Sequence, residues 1–309
     1  MRSALGLMLW LGLAAHAAAV PETGNQSGVY PLPDPHQRLI GKPRTITTVY
    51  SDTLADIALR EGVGLDGLKR ANANVDPWLP GDGTVLVLPT QMLLPDDWRN
   101  GITINLAERR LYYFDTANDR LLVYPVGIGV GGFETPLVTT RTVARIHKPS
   151  WTPTPAIRQE RAAMGITLPA VVPPGPENPM GEYAIQLAEP GLFIHGTNRP
   201  LGVGQAVSHG CIRLFEAQIR LLATSVPNNT PVRIVNRPIK VLWHDDSLYL
   251  ESHPAHAHTG SLSAMVEAIV QRTQISSRGI NWRLAEHTAQ AALGLPVRIS
   301  TAPNDPLER

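Results

Sequence analysis

Cysteine is nearly missing from this chain: Cys211 is the only one in 309 residues. No disulfide can form within the chain, so stability must come from apolar cores, and the length suffices for them. Charge of either sign is not in excess. The 27 Lys and Arg against 26 Asp and Glu leave a formal charge of +1, which offers nucleic acid no concentrated basic face. Beyond the N-terminal segment, no apolar run approaches the ~20 residues that a membrane-crossing helix needs. What is abundant is proline, at 28, and glycine, at 26, which suit short strands and turns better than long helices. Length alone suggests about two domains.

The N-terminus reads as an export signal. One positive charge in Met1-Arg2-Ser3 precedes an apolar run over 4–15, and Ala15-His16-Ala17 and Ala17-Ala18-Ala19 both fit a small-x-small cleavage site. Residues 1–19 are therefore expected to be a signal peptide, too short to span a membrane. No cysteine stands near the cleavage point to take a lipid. Residues 20–44, rich in proline, glycine and polar residues, read as a linker.

Next comes a compact unit over 45–90. Thr45-Ile46-Thr47-Thr48-Val49-Tyr50 alternates like a strand. Ser51 or Asp52 can cap a helix carrying Leu54, Ile57 and Ala58 on one face, with Gly62 at its end. Leu65, Leu68 and Ala71 repeat at helical spacing, and Pro80-Gly81 turns into Val85-Leu86-Val87-Leu88. Strand, helix, helix, strand is a small α+β unit. It resembles a LysM module: Asp52-Thr53-Leu54-Ala55-Asp56-Ile57-Ala58 matches the signature of its first helix, although Ser51 stands where glycine is usual. The resemblance implies binding of N-acetylglucosamine polymers such as the glycan of peptidoglycan. A plain α+β domain without a ligand is the alternative.

From Gly101 the pattern is β. The segments 102–106, 111–114 and 121–129 are strands joined by turns, and 138–146 is a further strand. The glycine run 129–132 lacks the helix and lysine of a phosphate loop. Residues 151–180 hold seven prolines among their turns and are expected to be a long loop, either a lid over a cleft or a passive excursion. Strands return at 183–187 and 192–195. Phe215, Ile219, Leu222 and Val226 trace a helix face just past Cys211, whose dipole is expected to lower the thiol pKa. Over 237–309 a hairpin around Asp245-Asp246-Ser247 precedes a helical stripe, Leu262, Met265, Val266, Ile269 and Val270, expected to pack onto the main domain. A further helix is expected over 284–293. His253, His256 and His258 fall near Pro254 and Gly260, and read as a loop rather than a metal site.

The chemistry gathers at Ser208-His209-Gly210-Cys211-Ile212-Arg213-Leu214, with His195-Gly196-Thr197-Asn198 upstream. Thiol catalysis needs a thiolate, a base to generate it and donors for the oxyanion. A free cysteine is more often a small core residue. Cys211 is instead flanked by His209 and Gly210, in a chain that reads as exported. Zinc ligation by His195, His209 and Cys211 would lack both a familiar spacing and a fourth ligand.

Residues 99–236 resemble the catalytic domain of the YkuD family of L,D-transpeptidases. The two motifs carry the resemblance, together with Tyr124-Pro125-Val126-Gly127-Ile128-Gly129 and Trp151-Thr152-Pro153-Thr154. The implied fold is a mainly β catalytic domain, a YkuD-like sandwich or barrel, accompanied by the small α+β LysM domain and an α/β C-terminal subdomain over 237–309. The implied setting is the periplasm, the implied substrate peptidoglycan stem peptides. The implied roles are Cys211 as nucleophile, His195 as base and then acid, and the Gly196 carbonyl as orienter of the imidazole. Backbone N–H groups at Gly210 and Cys211, with His209, would hold the oxyanion. Ser208, Arg213 and Asn198 would position substrate, with Arg213 suited to a carboxylate or amide or equally to a structural place in the turn. No metal or organic cofactor is required, and carbapenems are expected to acylate Cys211. The acceptor amine is a diaminopimelate of another stem or a lysine of an outer-membrane lipoprotein. A wall-cutting thiol hydrolase and a non-catalytic peptidoglycan-binding protein remain as alternatives.

Overall fold

A computed structural model describes residues 28–95, 98–254, 262–273 and 279–300. The expected signal peptide lies outside the described residues. Among the described residues, no helix is long and apolar enough to cross a membrane.

The stretch expected to be a linker is in part built into the fold. β1 (Val29–Pro31) and β2 (Leu39–Ile40) are strands of three and two residues, too short for a periodic signal. Next come β3 (Arg44–Thr47), α1 (Leu54–Glu61), α2 (Leu65–Ala71) and β4 (Val85–Leu88), with β3 antiparallel to β4. The start of α1 is fixed by a reciprocal cap. Thr53 Oγ1 accepts from the Asp56 N–H, and the Asp56 carboxylate accepts from the Thr53 N–H. Its end is fixed by Gly62 at φ 64°, a left-handed conformation that glycine adopts without a Cβ clash. Leu54, Ile57, Ala58, Leu68, Leu86 and Leu88 fill the space between helices and hairpin. β5 (Met92–Leu93) then pairs with β2.

The main sheet is built from β6 (Gly101–Asn105), β7 (Arg110–Asp115), β8 (Arg120–Pro125), β10 (Val138–His147), β11 (Tyr183–Leu187), β12 (Phe193–His195), β14 (Ile212–Arg213) and β15 (Pro231–Val235), with β1 on its edge. The short strands β9 (Ile128–Gly129) and β13 (Ala206–Ser208) pair apart from it. The order is β1-β8-β7-β6-β15-β10-β11-β12-β14. Most neighbours are antiparallel, but β6–β15 and β12–β14 run parallel. β6, β7 and β8 are buried almost throughout, as strands covered on both faces must be.

The sheet curls on itself. Gly127, two residues past β8, exchanges backbone hydrogen bonds of 2.8 and 2.9 Å with Arg213 on the far edge. Inside the curl lie Ile102, Ile104, Leu122, Ile194, Ile212 and Val232, capped by Ile219 and Leu222 of α4 (Glu216–Ser225).

The proline-rich stretch is not loop throughout. It holds α3 (Pro155–Ala163), whose N-cap Thr154 accepts from the Ile157 N–H, with Pro155 at the first helical position. The prolines of the stretch obscure a proline-free run of thirteen residues, 156–168, behind Pro155.

The C-terminal region has its own core. β16 (Ile239–His244) and β17 (Ser247–Ser252) form a hairpin whose two linking residues, Asp245 and Asp246, both have positive φ, the geometry of a tight hairpin turn. α5 (Leu262–Thr273) packs on β16, α6 (Trp282–Ala291) packs on β17, and β18 (Val297–Arg298) extends the sheet. Met265 and Ile269 therefore face the hairpin, around Val241 and Leu250, and not the main domain as expected.

Buried charge joins this region to the rest. Lys240 Nζ lies 2.8 Å from Glu108 Oε2, 2.9 Å from Glu251 Oε1 and 2.6 Å from the Leu93 carbonyl it donates to. Arg110 reaches both carboxylates and the Pro89 carbonyl. Glu108, Glu251 and His253 offer three donor atoms within 4.8 Å of one another. The Lys240 ammonium already supplies the positive charge there, so these donors do not make a vacant metal seat. His256 and His258 lie outside the described residues.

Candidate active site

β12 and β14 bring the two motifs together. Their parallel pairing sets Ile194 beside Ile212 and His195 beside Arg213, and the Leu214 N–H donates to the His195 carbonyl at 2.9 Å. A separation of sixteen residues in sequence becomes adjacency across one pair of strands. Cys211 stands just before β14. Its thiol and the His195 ring line one cavity of about 750 Å³, with Ser208, His209, Arg213 and Asn198 also on its wall.

His195 is 5% exposed. Its Nδ1 is 2.6 Å from the Gly196 carbonyl oxygen. A carbonyl can only accept, so Nδ1 carries the hydrogen and Nε2 keeps its lone pair for a proton. Burial and then the Arg213 charge pull the ring pKa down to about 4, against the Gly196 and Met180 carbonyls, which favour the charged ring. The ring is thus neutral at pH 7 and able to act as a base.

The Cys211 thiol departs from expectation. Burial pushes it up, opposed in part by the Phe193 N–H and Arg213. In this setting the thiol is protonated and donates to the Gly191 carbonyl at 3.4 Å. α4 begins five residues beyond it. A neutral thiol and a neutral imidazole on the wall of one cavity have the chemistry for proton transfer to accompany attack on an electrophile.

The turn before Cys211 is held from within. Ser208 is buried and donates to the Cys211 carbonyl at 2.5 Å. The Gly210 N–H donates to Ser208 Oγ at 3.2 Å, and Thr135 Oγ1 donates to the Gly210 carbonyl at 2.8 Å. Gly210 has φ +101°, a conformation L side chains avoid. The Gly210 N–H, expected to face the oxyanion, is therefore engaged with Ser208. His209 Nε2 pairs with Glu160 of α3 at 2.5 Å, and its ring meets Phe133 edge-on at 4.6 Å. This histidine reaches toward the segment over the cavity.

That segment is anchored. Trp151 and Val172 exchange backbone hydrogen bonds of 2.9 and 2.8 Å. Asn178, fully buried, donates to the Pro149 carbonyl at 2.8 Å and accepts from the Met180 N–H at 2.9 Å. Trp151, Ile157, Leu168 and Met180 form the apolar side of the cavity. Asn198 donates to the Pro176 carbonyl at 3.0 Å.

The polar side is mainly cationic, with Glu177 the carboxylate on the wall. Arg213 is largely buried, its Nε has no hydrogen-bond partner among the described residues, and burial lowers its pKa. Arg161 and Arg199 line the same cavity. Three guanidinium groups around one apolar-walled space suit a substrate bearing carboxylates. Sequence reasoning reached Arg213 but missed Arg161, Arg199 and Glu160. Arg161 and Glu160 sit on a helix that was read as loop, although Thr154-Pro155 was a usable start signal.

A thiol, a histidine oriented by a carbonyl and an arginine-lined cavity, all on a curled sheet, define a cysteine acyltransferase site. The comparisons agree with that class. The family model of the YkuD L,D-transpeptidase catalytic domain matches residues 99–234. A probable L,D-transpeptidase ErfK/SrfK of Salmonella typhimurium is 41% identical over 88% of this chain and 91% of its own length. A probable L,D-transpeptidase YcfS of Escherichia coli is 45% identical over 74% of this chain and 72% of its own, and a probable L,D-transpeptidase YbiS of the same species 43% over 78% and 80%. The chain belongs to the YkuD family of L,D-transpeptidases.

Proposed function

We propose that Cys211 is the acyl carrier of this L,D-transpeptidase and His195 its proton carrier. The observation that supports this most is the buried His195 ring, tied through Nδ1 to the Gly196 carbonyl and sharing one cavity with the only thiol. Cys211 Sγ attacks the carbonyl carbon between the third residue of a stem tetrapeptide and its terminal D-Ala. The thiol proton passes to His195 Nε2 and on to the leaving amine. The C–N bond breaks, D-Ala departs and a thioester remains. In the second half an acceptor amine gives a proton to His195 and attacks the thioester. The C–S bond breaks and the thiol regains its proton. The Cys211 N–H serves as the backbone donor to the oxyanion. Arg213, with Arg161 and Arg199, holds the carboxylates of the stem.

The small unit over 45–90 serves as a LysM module that holds glycan. Tyr50 is 89% exposed, Trp78 69% and Leu79 79%, on the segments that follow β3 and precede β4. Exposed aromatic faces of this kind suit stacking on sugar rings. The N-terminal segment exports the protein to the periplasm, where the acceptor is either a second stem peptide or a lysine of an outer-membrane lipoprotein. The test supplies disaccharide-tetrapeptide with each acceptor in turn and identifies products by mass spectrometry. The expected result is release of D-Ala with an amide-linked product, absent for Cys211→Ala. Free tripeptide without any linked product contradicts transfer.

A further inference from the structure

Glu216 has no part in the chemistry so far. As the first residue of α4 it passes for an ordinary acidic helix start. Its setting is more specific. Oε1 accepts from the Thr197 N–H at 2.7 Å, and Oε2 accepts from the Glu182 N–H at 3.2 Å. Two glycines leave the room it occupies, since a Cβ on Gly181 or on Gly196 would collide with Oε1.

The Thr197 N–H belongs to the same peptide group as the Gly196 carbonyl, which accepts from His195 Nδ1 at 2.6 Å. The bond is trans, like every described peptide bond, so the two ends point in opposite directions. One end meets the imidazole and the other the carboxylate. A hydrogen bond donated from the N–H end of a peptide polarises its carbonyl end.

We propose that Glu216 is a positioning residue for His195, acting through the Gly196–Thr197 peptide group. It fixes the direction of the Gly196 carbonyl and increases the negative charge it presents to Nδ1. The imidazolium formed when Cys211 gives up its proton is thereby stabilised. In other nucleophile–histidine sites a carboxylate touches the ring directly. Here a peptide stands between the two. The charged groups facing Glu216 are Glu182 and Arg220, themselves 3.2 Å apart, while Arg213 is the charge that acts on His195. The inference rests on the reading of Cys211 and His195 as the reacting pair.

The test is the pH profile of Cys211 acylation by a carbapenem, in the full chain, with melting temperature as a control. Glu216→Gln keeps the shape of the side chain without its charge. It is expected to acylate about tenfold more slowly, the equivalent of about one pKa unit at the imidazole. Its profile stays flat between pH 5 and 7, because losing a nearby anion moves the imidazole pKa further down. A carboxylate that only clamps the loop predicts the opposite. Loosening would admit water, the imidazole would move up toward about 6.5, and rate would be lost below it. That upward move, or an unchanged rate, overturns the proposal. Should Glu216→Gln fail to fold, Glu216→Asp and Glu216→Asn serve instead. They match in size and differ in charge, and Asp no faster than Asn overturns the proposal. A wild-type protein that takes no carbapenem on Cys211 sinks the reading of the pair itself, a separate result.

Discussion

Around Lys240, every buried charge has its answer. Two carboxylates, an ammonium and a guanidinium balance in sign, and Tyr112, His253 Nε2 and the backbone at Leu93 take up further lone pairs and hydrogens, although His253 Nδ1 is left without a partner among the described residues. Around Cys211, buried polar groups are left wanting. Arg213 Nε has no partner among the described residues, the imidazole is held far below its usual pKa, and the thiol is held above its own. The first arrangement joins three segments of chain, and the second waits for a ligand. Buried charge balanced by opposite charge marks structure here, and a buried guanidinium on a cavity wall with its Nε unpartnered marks where an anionic substrate fits.

The sharpest way to break this contrast is to remove one charge from each set. Lys240→Ala leaves two buried carboxylates with Arg110 as their remaining cation, so it is expected to cost about 3 kcal/mol of stability, the lower end for breaking a buried pair, read from the thermal or urea midpoint. A change below about 1 kcal/mol would mean the network is incidental. Arg213→Ala is expected to lower kcat/KM on tetrapeptide by about ten- to a hundredfold, the worth of a charge-assisted hydrogen bond. It should leave the melting temperature near wild type, because in the free protein Nε gives up no bond. A large stability loss would place Arg213 with the structural charges.

Acid separates the two regions by pH. His195 is depressed to about 4 in the folded protein, chiefly by burial, against about 6.5 unfolded. Between those values the unfolded chain binds a proton that the folded one refuses, so stability falls as pH drops, by up to about 1.4 kcal/mol per unit. Burial would raise Glu251, but Lys240, His253 and Arg110 outweigh it and leave it at about 2. Its contribution is complete above its unfolded pKa of about 4.3 and fades only below that. Urea unfolding between pH 7 and 4.5 should therefore report the histidines, and His195→Gln should flatten the slope. His253, depressed in the same sense, keeps some slope in that variant. The smallest effect belongs to the exposed face over 45–90. Trp78→Ala is expected to weaken co-sedimentation with purified sacculi by up to about tenfold, the scale of one aromatic contact. Unaltered sedimentation would detach the glycan reading from that face.

Much of the site was legible because its chemistry is dense in sequence. Cys211, His209, Ser208 and Arg213 fall within six positions, and His195 ends a visible strand. The strands β6 to β8 were legible through their apolar runs and turns. Less was legible where geometry alone creates the role. Glu216 looks like a helix cap until Gly181 and Gly196 clear space beneath the imidazole. Arg161 faces the cavity and Glu160 meets His209 only because α3 folds within a proline-rich stretch. Lys240, Glu108 and Glu251 are ordinary charged residues in sequence, and their burial depends on three segments meeting. The upward push of burial on the Cys211 thiol is illegible for the same reason: a following helix can be read from sequence, but desolvation by the surrounding walls cannot.

The most direct test of the central claim is a mass measurement. The full-length protein is mixed with disaccharide-tetrapeptide in the absence of acceptor, quenched with acid and digested. The account predicts a gain equal to the donor minus D-Ala, on the peptide containing Cys211 and on no other. An unmodified Cys211 peptide while D-Ala is being released, or the same adduct on another residue, would contradict it.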